Sequence, residues 1–194
     1  MKQFFADNGN TVKKLYLNQF GAIVFGLMII LVTVMVDHPA ATWIAAVLSL
    51  FFYLYLIFLT VWEKGASDML KVNGSRLSAR PNEGLRIGFA VNVPTIVFAL
   101  AYGVCVLLAL FTPANNSAVV GGIASVSSTV TRILSAPYIG LFNAILPDYG
   151  NHPVWTCVFW MLSPLPAIGM TWLGYRIGYE GKFVPLAYKQ KKEK

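Results

Sequence analysis

The chain has 194 residues, of which 57% are hydrophobic and only 12% charged, with a mean hydropathy of +0.63. Soluble domains carry about 25% charged residues, and a water-soluble fold with half that share could not cover its own surface. Soluble enzymes, disordered tails and disulfide-stapled secreted domains are excluded on this ground, and residues 1–194 read as a single polytopic membrane domain.

Four stretches free of Asp, Glu, Lys and Arg are long enough to cross a bilayer, which takes roughly 20 apolar residues for about 30 Å of hydrocarbon. The first, 15–36, follows Lys13 and Lys14. It exceeds the roughly 7–15 apolar residues of a signal-peptide core and lacks a small-residue cleavage site, so it reads as an uncleaved span. A tight turn at Asp37-His38-Pro39 leads into the second span, 40–62. Residues 63–86 form a charged loop whose opening stretch, 63–70, continues the second helix. Asn73-Gly74 then supplies a turn signal. The third span is 87–111 and the fourth is 154–175. Their continuous apolarity excludes membrane strands, which alternate faces over about ten residues.

The segment 112–153 is the unusual part. Between 125 and 146, Val126, Val130, Ile133, Leu134, Pro137, Tyr138, Leu141, Phe142 and Ile145 recur at helical spacing. Ser127, Ser128, Thr131, Arg132, Ser135 and Asn143 occupy the other face. Such a helix is expected to lie in the interface plane as a lid over the bundle; a re-entrant hairpin and a fifth span are the alternatives. Pro137 breaks or kinks it. The fold class is therefore all-α, a four-transmembrane-helix bundle with an additional amphipathic or re-entrant helical segment between spans three and four.

Net charge is +7, and its placement sets the orientation. Lysines 2, 13 and 14 precede the first span, and Lys64, Lys71, Arg76, Arg80 and Arg86 lie in the 63–86 loop. Arg176 and five lysines fall in the tail 176–194, leaving Arg132 alone for the other side. Basic residues in short loops stay cytoplasmic, so both termini are expected inside, in a plasma or inner membrane. Trp43 and Trp155 then mark the outer interface and Trp62 and Trp172 the inner one, while Trp160 packs against a neighbouring helix. The basic face is expected to attract anionic lipid headgroups; positive-inside placement already accounts for the charge, so nucleic acid is not an expected partner.

Candidate chemistry is sparse. His38 and His152 each precede a proline, as residues that open helices do, and no metal or cofactor is expected. Cys105 and Cys157 read as small packing residues. Metalloprotease, serine-hydrolase and phosphate-loop motifs are missing, and no ionisable side chain occupies the middle of a span, which argues against proton relays. Asn92 lies two residues before Pro94, which frees backbone carbonyls for a partner. Asn92, Ser128, Arg132 and Ser135 are the candidate contacts for a solute or a neighbouring helix. Ala99/Gly103, Gly84/Gly88 and Gly174/Gly178 have the small-residue spacing of close helix packing. The leading expectation is a non-enzymatic accessory protein or subunit of a membrane complex, with a partner engaging the 63–86 loop or the small-residue faces. The alternative is small-solute binding or transport through a polar cavity near Asn92 and the Ser/Thr face of 125–146.

Overall fold

The computed structural model describes residues 2–36, 38–75, 78, 80–111, 117–146 and 151–181. Asp37, Arg76, Asn115, Asn116, Asp148 and the tail from Lys182 onward lie outside the described residues. The order of elements is α1 (Lys2–Val36), α2 (Pro39–Asn73), α3 (Glu83–Phe111), α4 (Ser117–Leu134), α5 (Ala136–Ile145), α6 (Pro153–Leu162) and α7 (Pro164–Tyr179), with no strand among the described residues.

Three helical stretches are long and apolar enough to cross a membrane, Ala40–Asn73, Glu83–Ala109 and Pro153–Tyr179, or four if the bent pair α4–α5 counts as one. These helices present apolar side chains outward. On α3, Phe89, Val93, Val97, Leu100, Val104, Leu107 and Phe111 are all exposed, a stripe at helical spacing. Such a surface is compatible with a membrane protein, because exposed apolar patches of this size on a soluble monomer are rare. The run 15–36 lies within α1, which is continuous and 35 residues long. At 1.5 Å per residue, α1 and α2 are each roughly 50 Å long, well beyond the ~30 Å of a hydrocarbon core. The surplus accommodates the charged ends at 2–14 and 63–73.

Prolines and small polar residues punctuate the helices. His38 Nδ1 accepts the Ala40 N–H at 3.2 Å, which caps the start of α2. Pro94 within α3 leaves the Ala90 carbonyl without its helical donor, and the Tyr16 hydroxyl donates to that oxygen at 3.3 Å. The expected fourth span is present as one apolar helical stretch, Pro153–Tyr179, whose hydrogen-bond ladder is interrupted between α6 and α7 because Pro164 supplies no N–H to the Trp160 carbonyl. Ser163 Oγ donates to that carbonyl instead, at 3.0 Å. The segment before it, by contrast, is two helices, α4 and α5, bent by 99° with Ser135 at the break.

The chain divides into two compact units. Unit 1 comprises Met1–Leu17, Leu54–Val91 and Ala167–Lys194. Its centre is a close approach of α2 and α7. A Cβ added at Gly65 would collide with the Tyr175 carbonyl, one at Gly178 with the Trp62 carbonyl, and one at Gly174 would lie 2.9 Å from the Phe58 oxygen. Gly84 and Gly88 on α3 abut Thr171 and its neighbours on the other side of α7. Two of the expected small-residue pairs are thus used within the chain, where the absence of a Cβ lets backbones touch.

Unit 2 comprises Asn18–Tyr53 and Asn92–Pro166. Trp160 is fully buried with its ring 4.7 Å from Tyr102, and Phe142 stacks on Phe159 at 5.0 Å. Gly140 packs against Ala46, and Gly103 against Cys157 and Met161.

On α4 the hydroxyl-bearing face is the one turned inward. Ser127, Thr131 and Ser135 are buried, whereas Val119, Ile123, Val126 and Ile133 are exposed. Small hydroxyl residues allow close helix approach and bond to other helices, so packing selects them where the surroundings are as apolar as the protein. On α5 it is apolar residues that are buried, Pro137, Tyr138 and Phe142 among them.

Candidate functional site

Two polar constellations stand out, one in each unit. In unit 2 the bend between α4 and α5 meets the turn at which Pro164 interrupts the hydrogen-bond ladder between α6 and α7. Ser135, between α4 and α5, and Ser163, between α6 and α7, place their hydroxyl oxygens 3.1 Å apart, both buried. Because Ser163 gives its one proton to the Trp160 carbonyl, Ser135 is the donor between them. Thr131 Oγ1 and Trp160 Nε1, one helical turn from these serines along their own chains, are buried and hold no hydrogen bond. Ser49 Oγ is likewise buried without a partner, on the helix that flanks Gly26 and the Ala136 carbonyl. A buried hydroxyl or indole N–H left without a partner costs roughly 1–3 kcal/mol. The inward groups are all uncharged, since no acidic residue or lysine lies among the described residues of this unit.

The sequence candidates fall unevenly around this point. Ser135 is at its centre, Ser128 is half-buried beside the inward stripe, and Arg132 is exposed. Asn92 is buried in unit 2, as is Thr95 on the next turn of α3. Trp160 was expected to pack against a neighbouring helix, and Ser163 was not singled out from the sequence, its one signal being the proline that follows it. His152 caps α6 by position, with Pro153 in the first turn. No group of three His, Cys, Asp or Glu side chains gathers among the described residues.

In unit 1 the N-terminal turns of α1, the end of α2 and the entry to α3 enclose a cavity of about 180 Å³ lined by Asp7, Asn8, Lys64, Asp68, Lys71, Arg80 and Glu83. Lys64 Nζ lies 2.9 Å from Asp68 Oδ1 and donates to the Asp7 carbonyl at 3.1 Å. Tyr175 from α7 donates its hydroxyl to the other Asp68 oxygen at 3.2 Å. Asn8 Nδ2 donates to Glu83 at 2.6 Å, and Arg80 pairs with Asp7 at 3.0 Å. Asp68, Glu83 and Asn8 are 2%, 3% and 1% exposed, in a chain with only eight acidic residues. Charges buried to this degree persist only when paired and hydrogen-bonded. The Lys64–Asp68 pair follows locally from i,i+4 spacing on α2; Asp7, Asn8, Glu83 and Tyr175 had no such signal beyond being polar residues near helix ends.

Comparison with protein-family models, with curated proteins and with solved structures finds no match to this chain.

Proposed function

We propose that the chain is a four-span membrane protein that binds or conducts a small uncharged polar solute at the paired helix breaks of unit 2. The observation that carries this reading is the meeting of Ser135, at the α4–α5 bend, with Ser163, at the proline-interrupted turn before α7, with unsatisfied Thr131 and Trp160 groups one turn away. Interrupted helices deep in a membrane protein are tolerated where they are buried or line a polar cavity, and transporters place substrate sites at such breaks. The lining is neutral, which favours a solute such as a polyol or an amide over an ion. In this reading α1, α2, α3 and α6–α7 are the spans and α4–α5 is re-entrant.

The expected orientation goes with it. Lys13, Lys14, Lys64, Lys71, Arg80, Arg86 and Arg176 all belong to unit 1, and Arg132 alone to unit 2. Positive-inside placement then puts unit 1 and both termini at the cytoplasmic side of a plasma or inner membrane, against anionic lipid.

The subunit reading draws less support than it did from sequence, because Gly84, Gly88, Gly174 and Gly178 are engaged within the chain. It keeps the polar loop 63–86 as a docking surface.

A thermal-shift panel of neutral polyols, amides and amino acids on detergent-purified protein tests the proposal. A stabilising solute whose effect is lost in S135A/S163A is the expected result. A panel without effect, together with a stoichiometric protein partner on gentle extraction from native membranes, would replace solute binding with the subunit reading.

A further inference from the structure

The charged cavity of unit 1 has no part in that reading. Its lining holds three carboxylates, Asp7, Asp68 and Glu83, and three cations, Lys64, Lys71 and Arg80, so its net charge is zero. Two of each close into direct pairs, Lys64 with Asp68 at 2.9 Å and Arg80 with Asp7 at 3.0 Å. The third cation and the third carboxylate form no pair with each other. Lys71 reaches only Asp68 Oδ1, at 3.8 Å, an oxygen already bonded to Lys64. Glu83 accepts from Asn8 Nδ2 on one oxygen, and its other oxygen lies 3.6 Å from Arg86, a 70% exposed side chain outside the lining. Beside Glu83, Asn8 Oδ1 is a buried acceptor with no donor. A space of about 180 Å³ remains. It is well above the ~10–15 Å³ that one water requires and below the ~300–1,000 Å³ of pockets for drug-sized ligands. A lone ion of either sign would bring into this space a charge that the lining does not balance.

We propose that this cavity binds a small zwitterion carrying a primary ammonium and a carboxylate, with Lys71 holding the carboxylate and Glu83 and Asn8 Oδ1 accepting from the ammonium. One charge of each sign leaves the cavity neutral and gives each underused group its complement. An ammonium has three donors and no acceptor, which suits the pole where a carboxylate oxygen and an orphan amide oxygen adjoin. At the other pole Lys71 is a point charge on a flexible stem. Arg80 uses one nitrogen on Asp7 and keeps further N–H groups of its fork for the same carboxylate. The volume suits solutes of the size of glycine, β-alanine or γ-aminobutyrate. No residue of this cavity belongs to the Ser135–Ser163 site, so the two readings can fail separately.

Calorimetric titration of the full chain in detergent, at matched ionic strength, tests this with three zwitterions: glycine, β-alanine and γ-aminobutyrate. Acetate supplies the carboxylate alone and methylammonium the ammonium alone. At least one zwitterion binds the wild type about tenfold more tightly than either half, the effect of one further charge-assisted contact. K71Q removes the carboxylate's partner and leaves the lining one charge negative. Zwitterion binding therefore weakens about tenfold while methylammonium binding strengthens, whereas a variant that only loosened the fold would weaken both. Lys71 is half exposed, so this variant keeps the fold. S135A/S163A leaves zwitterion binding at its wild-type strength. Binding of no zwitterion would leave the cavity to water and overturn the proposal. Acetate or methylammonium binding the wild type as tightly as the zwitterions, K71Q with wild-type selectivity, or zwitterion binding lost in S135A/S163A would each overturn it as well.

Discussion

Adding one methyl group at Gly178 is expected to separate α2 from α7, whereas the same change at Gly169 on the same helix stabilises the protein. At Gly178 the new Cβ would collide with the Trp62 carbonyl and lie 3.0 Å from the Ala66 nitrogen and 3.1 Å from the Trp62 carbonyl carbon. These are backbone atoms of a helix and cannot rotate away, so the pair must open. A radial gap of about 0.5–1 Å forfeits a quarter to a half of the dispersion attraction at each contact. Overpacking of this kind costs about 1–3 kcal/mol, and rigid backbone on the receiving side puts Gly178→Ala toward the upper end. At Gly169 a Cβ meets nothing within 4 Å, so only the helix-propensity gain of about 0.5–1 kcal/mol remains. With roughly 2–4 °C per kcal/mol for a chain of this size, apparent melting should fall about 5–10 °C for G178A and rise about 1–4 °C for G169A. The assay is loss of the monodisperse chromatographic peak after heating in one detergent. G178A melting at or above wild type would refute the packing argument, since no compensating contact is available at that site.

Removing Asp68 by D68A leaves the Lys64 ammonium buried without its carboxylate and should cost about 3–5 kcal/mol; K64M in that background should recover part of it, read by the same melting assay. Y175F deletes a buried hydroxyl whose acceptor is a carboxylate, a loss of about 1.5–3 kcal/mol, while leaving the ring stacking on Tyr179 intact. The buried hydroxyl face of α4 is checked by single cysteines in a background lacking Cys105 and Cys157. Spin labels at Ile123 should collide freely with dissolved oxygen and one at Thr131 should be shielded; equal accessibility would contradict the burial pattern. A cysteine at Ser135 should resist bulky impermeant reagents from either side of the membrane, because that position is fully buried; rapid labelling would restore the interfacial lid.

Much of the helical framework was legible because its signals are local. An apolar run fixes where a helix can meet lipid, and Pro94, Pro137 and Pro164 disrupt hydrogen bonds four residues back wherever they occur. The Lys64–Asp68 pair is set by helical spacing alone. The run 154–175 was legible as one span, and Pro153–Tyr179 forms one such stretch, whereas the backbone donor missing at Pro164 leaves no mark on hydropathy. The two faces of 125–134 were legible but which one turns inward was not, because amphipathicity states that a helix has two faces and not which surroundings each will meet.

The sequence by itself determined an all-helical chain with apolar helices compatible with a membrane, its charges gathered near helix ends and its breaks at prolines. Tertiary structure alone decided that Asn8 reaches Glu83, 75 positions away, that Asp68 reaches Tyr175 across 107, and that Ser135 meets Ser163. The physical reason is that a propensity belongs to a residue and its covalent neighbours, while a cavity or a paired break exists only after backbones close over glycines such as Gly65 and Gly178. Those glycines carry no side chain to announce what they will touch.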